Sequence, residues 1–417
     1  MLRAQDHLPS RGGELPGSRV VAYPTQQPVA ADDNAYLTPL DGWVREDARF
    51  TTSFSVPFAW IGRQVLLHVD HASADYEVFV DGRSAAYESN GSSPAEFDLT
   101  RLTHEGVNRL EIVLSEPARI AVLESWKGDS VPALGESWIS SRPTMYVRDV
   151  VVRNRRARAT DDFLLAEVGI VVKSGALNPR TSRIHYELLT PGGITAAIGH
   201  EDLTLDMRRE DTIRFLARIP DSLQWSAARP ALYTLRLKTQ HEGRYVEFLE
   251  FKPGFRTVDV VDGVLRINEL PVALRACEVS ADIGAAEVEA LRASGYNALR
   301  LLPGPVPESL FELCDRSGIY LIVTAPIDTA RSGDSRRRGG NPSNDPAWQQ
   351  ACIERAEESY HTAKFHPSAI AFSLARKSSN GIALYETYLH MKRFDESRPF
   401  IYPDAAGEWN SDRLSIE

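Results

Sequence analysis

The chain has 417 residues, a formal net charge of −10 at neutral pH and 43% apolar residues. This length predicts two to four domains with a sizeable core, and the composition argues against a disordered protein. The acidic balance argues against a nucleic-acid partner, because binding to phosphate groups requires a basic surface. No run of about 18 apolar residues is present, so the sequence predicts no membrane span.

The cysteines and the N-terminal residues bear on redox chemistry, metals and localisation. Cys277, Cys314 and Cys352 are odd in number and widely spaced, which argues against a disulfide framework. No metal-ligand spacing or nucleotide-binding motif occurs, so no metal site and no cofactor are expected. The first residues lack the apolar segment of a signal peptide, so the protein is either cytoplasmic or extracytoplasmic (periplasmic or secreted) with its signal removed.

The first 154 residues contain an arm and a strand-rich domain. Residues 1–35 are rich in Pro, Gly, Ala and Asp, which predicts an extended N-terminal arm. Residues 36–154 carry short alternating runs separated by turn residues, and Asp81-Gly82 is a tight hairpin signal. The clearest predicted strands are Val65–Val69, Tyr76–Val80 and Leu110–Leu114. Many short strands at this spacing predict a β-sandwich.

Two further domains are predicted after residue 154. Residues 155–253 form a second strand-rich segment, which opens at Phe163–Val172 and nearly closes at Ala231–Leu237. In residues 254–417 buried strands alternate with amphipathic helices, which predicts parallel βα units. The predicted helices are 285–294, one beginning near Pro307, 346–365 and 382–393, and the predicted strands include 298–302, 318–323 and 369–374.

One segment in the last domain carries a specific resemblance. His366–Gly381 reads His-Pro-Ser-Ala-Ile-Ala-Phe-Ser-Leu-Ala-Arg-Lys-Ser-Ser-Asn-Gly. It resembles the segment His-Pro-Ser-Ile-Ile-x-Trp-Ser-Leu-Gly-Asn-Glu-Ser-Gly-Asn-Gly of glycoside hydrolase family 2, the β-galactosidase type. Phe54–Trp60, with the spacing Phe-x-Val-Pro-x-x-Trp, and Asp395–Pro399 resemble other phrases of that family. The resemblance covers nearly the whole chain and is strongest over residues 254–404.

The resemblance implies a multidomain β and α/β architecture. Residues 36–154 would be the family's N-terminal jelly-roll β-sandwich, which resembles a sugar-binding domain. Residues 155–253 would be its immunoglobulin-like β-sandwich. Residues 254–417 would be a truncated (β/α) barrel, about half of a TIM barrel. Arg275–Ser280 falls where the family has a sugar-site motif after the first barrel strand.

The same resemblance implies that the glycosidase chemistry is lost. A retaining glycosidase needs two carboxyl groups about 5 Å apart. The family's acid/base glutamate falls at Lys377, next to Arg376, and an amine is a poor substitute for a carboxylate that must alternate between acid and base. The family's nucleophile lies on a late barrel strand, beyond Glu417. No catalytic residue is therefore expected in this chain.

Several other polar and aromatic residues are weak candidates for substrate binding. The family's loop that reaches the sugar site should fall near Ser125 to Trp138, which makes Trp126 and Trp138 candidates, although a core position is the commoner role for each. Asp328 and Glu278 lie near predicted strand ends, where an ion pair with Arg275 or Arg300 is expected ahead of a catalytic dyad. A capping or packing role is expected for His366, and Asp315 is expected to belong to the end of its helix.

These features favour an inactive relative of the family that acts as a binding or structural subunit, with carbohydrate as one ligand class. The alternative is an active glycosidase, β-galactosidase-like, completed by a partner chain. Half a barrel leaves an unpaired edge strand and apolar inner faces, which predicts a protein partner or a second copy covering the open side.

Overall fold

The structure is a computed structural model, and it describes residues 13–14, 35–115, 122–127, 131–158, 160–207, 209–337, 340–405, 408 and 411–417. Most of the predicted N-terminal arm lies outside these ranges. Within the described ranges no helix is long and apolar enough to cross a membrane.

Two antiparallel sheets share one core in the first domain. The sheets have the strand orders β1-β8-β5-β10-β2 and β3-β4-β9-β6-β7. The strands are β1 (Gly13–Glu14), β2 (Leu37–Pro39), β3 (Val44–Glu46), β4 (Arg49–Val56), β5 (Gln64–Val69), β6 (Tyr76–Val80), β7 (Arg83–Glu88), β8 (Ala95–Asp98), β9 (Gly106–Leu114) and β10 (Ser137–Arg142). Tyr76 and Val78 from one sheet and Leu67 and Phe97 from the other belong to the same buried cluster, so the domain is a β-sandwich.

Local sequence explains how this sandwich is connected. Successive residues of β6 alternate between buried and half-buried positions, as expected when one face of a strand meets the core. The turn to β7 has positive φ at Asp81 (48°) and Gly82 (75°), the conformation that favours a tight hairpin. The hairpin predicted at Asp81-Gly82 is therefore confirmed.

A second sandwich follows and begins earlier than predicted. Its sheets have the orders β11-β12-β15 and β14-β13-β16-β17. The strands are β11 (Met145–Arg155), β12 (Phe163–Ser174), β13 (Arg180–Leu189), β14 (Thr195–Leu205), β15 (Glu210–Pro220), β16 (Thr234–His241) and β17 (Arg244–Phe251). The predicted boundary after residue 154 is displaced, because β11 pairs along its length with β12 and its apolar residues enter the second core.

The last part of the chain contains the predicted βα units. A small antiparallel sheet, β18 (Val258–Val261), β19 (Val264–Ile267) and β20 (Leu270–Val272), precedes them. A parallel sheet then has the order β21-β22-β23-β24-β25. Its elements in chain order are β21 (Ala276–Val279), α1 (Ala285–Ala293), β22 (Ala298–Leu301), α2 (Glu308–Ser317), β23 (Tyr320–Thr324), α3 (Gln349–Ala363), β24 (Ala369–Ser373), α4 (Ile382–Phe394) and β25 (Phe400–Ile401).

Most predicted elements of this region are confirmed, and one is wrong. Every residue of β23 is buried, as expected for a parallel strand covered on both faces. Helix α2 ends at Gly318, whose φ of 71° is left-handed, the usual glycine stop. Residues 275–280 were expected to follow the first barrel strand, but Ala276–Val279 is itself that strand, because it pairs in parallel with β22.

The apolar inner face of the parallel sheet is covered by the segment Ser411–Glu417. Leu414 and Ile416 pack on Ile322, Ala371 and Ile401, which are 0–2% exposed. At one end of the segment, the Asp412 amide donates to the Phe400 carbonyl (2.9 Å). At the other, the Glu417 amide donates to the Leu274 carbonyl (2.8 Å) next to β21. The expectation of an open inner face is therefore wrong at these residues, whereas β21 and β25 stand at the ends of the described sheet and each pairs with a single strand, as expected for edge strands.

Candidate functional site

The carboxyl ends of the parallel strands bring together the charged residues that the sequence singled out. Glu278 lies in β21, Arg300 in β22, Asp328 beyond β23 and Arg376 beyond β24. In (β/α) folds the loops at this end of the strands form the binding site. The structure thus brings Arg300, Asp328, Arg376 and Lys377 to one end of one sheet.

These residues form a chain of ion pairs across the strand ends. Glu278 lies 3.3 Å from Arg300 and 3.4 Å from Arg376, measured between carboxylate oxygen and guanidinium nitrogen. A second nitrogen of Arg376 lies 3.8 Å from Asp328. The predicted pairing of Glu278 with Arg300 is confirmed. Arg275, the other predicted partner, instead lies over the ring of Tyr296.

Asp328 is held by its backbone as well as by Arg376. Its amide donates to the Leu123 carbonyl (2.7 Å), and its carbonyl accepts from the Ser125 amide (2.9 Å). Its side chain is buried and accepts from the Ala330 amide (3.0 Å). The carboxylate is therefore fixed by donors of this chain.

Lys377 is exposed and has an unusual backbone. Its φ is +46°, a left-handed conformation that costs a non-glycine residue about 1 kcal/mol. The Lys377 amide donates to a carboxylate oxygen of Asp404 (2.6 Å), which holds the turn in place. Lys377 and Asp404 line an open cavity of about 520 Å³ that Arg336 and Asn380 also border. Asp404 and Arg336 were not predicted as site residues, because neither carries a local motif.

The two candidate tryptophans have different positions. Trp126 is half-buried, and its indole nitrogen lies beside Gly304, in the loop that follows β22. Trp138 lies in β10, where its ring stacks on His68 with the ring centres 3.7 Å apart. The structure therefore places Trp126 next to the parallel sheet and Trp138 within the first sandwich.

A buried ion-pair cluster fixes the loop that carries Trp126. Glu124 is fully buried and lies 2.8 Å from Arg355 of α3 and 2.9 Å from Lys127. Burial alone would raise the pKa of Glu124, but these two cations hold it below its usual value. Arg355 also donates to Asn90 of the first sandwich (3.1 Å) and to the Pro326 carbonyl (3.0 Å). The cluster was not predicted, since Glu124 and Arg355 are far apart in sequence.

His366 and Asp315 are structural residues beneath this site. His366 Nδ1 lies 2.7 Å from Asp315 and Nε2 lies 3.2 Å from Glu308. Asp315 also accepts from the Ser368 amide (2.9 Å), so it joins α2 to the start of β24. Burial opposes protonation of His366, but the two carboxylates outweigh it and raise its pKa to about 10. The packing role expected for His366 is confirmed, and Asp315 lies near the end of α2, as expected.

Clusters of metal-ligating side chains and the three thiols also bear on the chemistry available to the chain. In the described ranges no cluster of three or more His, Cys, Asp or Glu side chains could hold a metal ion. The three cysteines are free thiols, and burial raises the pKa of Cys352 to about 12. Such a thiol is unreactive at neutral pH.

Comparison of the sequence with known proteins finds one family. Residues 261–416 match the model of the glycosyl hydrolases family 2 TIM barrel domain. The chain is 26% identical over 369 residues to a β-galactosidase of Aeromonas hydrophila subsp. hydrophila, which covers 85% of this chain and 35% of the relative. It is 23% identical over 393 residues to a β-galactosidase of Priestia megaterium, and this match covers 88% of this chain and 37% of the relative. The chain is a relative of glycoside hydrolase family 2.

Solved structures agree on the fold of this family 2 relative. A putative β-galactosidase from Bacteroides fragilis superposes with a TM-score of 0.72 at 13% identity, covering 88% of this chain and 58% of that one. Bacteroides uniformis β-glucuronidase 2 superposes with a TM-score of 0.71 at 15% identity, covering 94% and 52%. The chain spans about a third of the length of the curated relatives it matches.

Proposed function

We propose that this family 2 relative is catalytically inactive and acts as a binding or structural subunit of an assembly, with carbohydrate as a ligand class. The proposal is supported by the pair Arg376-Lys377, which follows β24 and stands where the sequence resemblance implies the family's acid/base glutamate. Arg376 forms ion pairs with Glu278 and Asp328, and Lys377 lines the open cavity.

The charges at the strand ends argue against glycosidase chemistry. A catalytic acid must hold a proton at working pH, and a nucleophile must be free to attack the anomeric carbon. Glu278 and Asp328 both lie within ion-pair distance of Arg376, at 3.4 Å and 3.8 Å, so neither carboxylate stands free beside a substrate. The carboxylate of Asp328 also accepts a hydrogen bond from the Ala330 amide. An exposed ammonium at Lys377 has no lone pair with which to activate water.

The same end of the sheet has features that suit a sugar. The cavity beside Lys377 is polar and open, and sugars bind through hydrogen bonds to such groups. Trp126, held near β22 by the Glu124 cluster, offers an aromatic surface with an apolar face. We also assign the two sandwiches as the jelly-roll and immunoglobulin-like domains of the family, and the parallel sheet as about half of its barrel.

Hydrolysis of 4-nitrophenyl β-D-galactoside and β-D-glucuronide tests the proposed inactivity. Protein made in a host without its own β-galactosidase is expected to release no nitrophenol above the buffer control. Turnover that co-purifies with the chain and is abolished by Asp328→Asn would overturn the proposal. Turnover that appears only after a second protein is added would instead support the alternative, an active glycosidase completed by a partner chain.

Sugar binding has its own test, with a matched pair of tryptophan variants. Saturation-transfer NMR with galactose and glucuronate is expected to show contact with the protein. Trp126→Ala should weaken the signal, whereas Trp138→Ala should not, because only Trp126 lies beside the parallel sheet. Equal loss in both variants, or no loss in either, would remove the strand-end site as the place of binding.

The assembly is tested by light scattering on the purified chain and on complexes recovered with it. A defined stoichiometry with a second protein or a second copy is expected. A partner that covered the inner face of the sheet would have to displace Ser411–Glu417, because this segment already occupies it. A monodisperse monomer at all concentrations, with no stoichiometric partner, would leave only the binding role.

A further inference from the structure

Two histidines lie side by side on the outer surface of the second sandwich. His185 of β13 and His200 of β14 are directly opposite each other in the antiparallel register. Side chains of opposed residues lie on the same face of a sheet and are close neighbours. The two ring centres are 5.4 Å apart, and the ring planes are inclined by 40°.

This separation suits a metal ion held by both rings. Bonds from Zn²⁺ to imidazole nitrogen are about 2.0–2.1 Å, so two rings that share one ion have their centres about 5 Å apart. His200 is exposed and His185 is half-buried, so an ion can approach from solvent. The strand backbone holds both residues, which lowers the conformational cost of bringing the ligands together.

The neighbouring side chains supply both an oxygen donor and opposing charges. Gln240 Oε1 lies 3.3 Å from Nε2 of His185. It can either orient that ring or act as a further ligand of the ion. Asp202, two residues after His200, interacts electrostatically with both histidines, although it also forms an ion pair with Arg183. Lys238 lies opposite His185 on β16 and disfavours a cation. These charges partly cancel, so the imidazoles decide the affinity.

We propose that His185 and His200 form a binding site for a divalent transition-metal ion, with water completing the coordination. No third His, Cys, Asp or Glu in the described ranges completes a protein cage, so the site is an exchangeable surface site. Imidazole ligands favour Zn²⁺, Ni²⁺ and Cu²⁺, whereas Mg²⁺ and Ca²⁺ prefer oxygen. The ion would join β13 to β14 and keep open positions for a further ligand.

Titration calorimetry of the untagged, chelator-treated chain with Zn²⁺ and Ni²⁺ tests this proposal. One ion per chain is expected from the pair, with no comparable binding of Mg²⁺. His185→Ala and His200→Ala should each raise Kd at least tenfold, and lowering the pH to about 5.5 should also weaken binding, because protons compete for the imidazoles. His104→Ala removes an exposed histidine of the first sandwich and should leave Kd unchanged.

Several results would overturn the proposal. These are no binding of Zn²⁺ or Ni²⁺ up to millimolar concentration, an unchanged Kd in either histidine variant, or a His104→Ala variant that loses the site. His200→Gln provides a second variant that keeps a polar side chain at an exposed position. Circular dichroism of each variant checks folding, and paramagnetic broadening by Ni²⁺ should map to β13 and β14 in the unchanged protein only.

Discussion

Replacing His366 with glutamine should remove a pH-dependent part of the stability of the parallel-sheet domain. His366 is 7% exposed, contacts both Asp315 and Glu308, and stacks on the ring of Phe311. Its pKa rises from 6.5 to about 10 on folding. Because the folded-state pKa is the higher one, the stabilisation is fully present below pH 6.5 and is lost as the pH rises towards 10.

The size of the effect follows from that rise. One pKa unit corresponds to about 1.4 kcal/mol, so the protonated imidazole contributes at most about 5 kcal/mol below pH 6.5. The difference in free energy of unfolding between the wild type and His366→Gln should therefore shrink by about 2–5 kcal/mol between pH 6 and pH 10. Comparing the two proteins cancels other groups that titrate in this window.

Urea unfolding at several pH values, monitored through hydrogen exchange of the β23 and β24 amides, measures this difference in the domain that contains His366. NMR of the labelled imidazole reports the His366 titration directly. An imidazole that titrates near pH 6.5, or a difference between the two proteins that stays constant from pH 6 to pH 10, would refute the reasoning. Asp315→Asn should lower the His366 pKa and serves as the matched control.

Three further predictions concern buried charge, backbone strain and the covered inner face. Arg355→Met leaves the carboxylate of Glu124 buried with Lys127 as its remaining cation. The variant should lose about 3–5 kcal/mol of stability in thermal unfolding, and adding Glu124→Gln should restore part of the loss. A fully stable Arg355→Met variant would contradict the stabilising role of the cluster. Lys377→Gly should raise stability by up to about 1 kcal/mol in urea unfolding, because glycine adopts φ +46° without strain, and a loss would show that the Lys377 side chain makes a stabilising contact. Ile416→Asp should cost about 2–3 kcal/mol and increase binding of an apolar dye, because it exposes the inner face, and unchanged dye binding would argue against that covering role.

The elements of this chain could be predicted where the signal is local. The run Tyr320–Val323 is apolar throughout, and it lies in β23, within the strand predicted over residues 318–323. The glycine at position 318 was assigned to that strand but ends α2 instead. The ion pair of Glu278 with Arg300 could also be predicted, because neighbouring parallel strands bring their carboxyl ends to the same edge.

What could not be predicted depends on residues that are distant in sequence. Whether β11 ends the first sandwich or begins the second depends on its pairing with β12, and its alternating pattern suits either. Nothing in the sequence around Asp404 distinguishes it from the other acidic residues, and only the fold brings its carboxylate to the Lys377 amide. The contact of Ser411–Glu417 with β21 and β25 has no sequence motif either. An irregular segment has no local periodic pattern, and its position depends on the surface against which it packs.

The buried contact between Glu124 and Arg355 has a consequence for how the chain comes apart. It joins a loop of the first sandwich to α3 across 231 positions of sequence, and Asn90 extends the same network. Separating these domains would place an unpaired guanidinium and a carboxylate at a newly opened surface. A fragment that begins at residue 254 should therefore be less stable than the same residues in the whole chain. The first sandwich and the βα region should unfold as one cooperative unit, rather than as two independent domains.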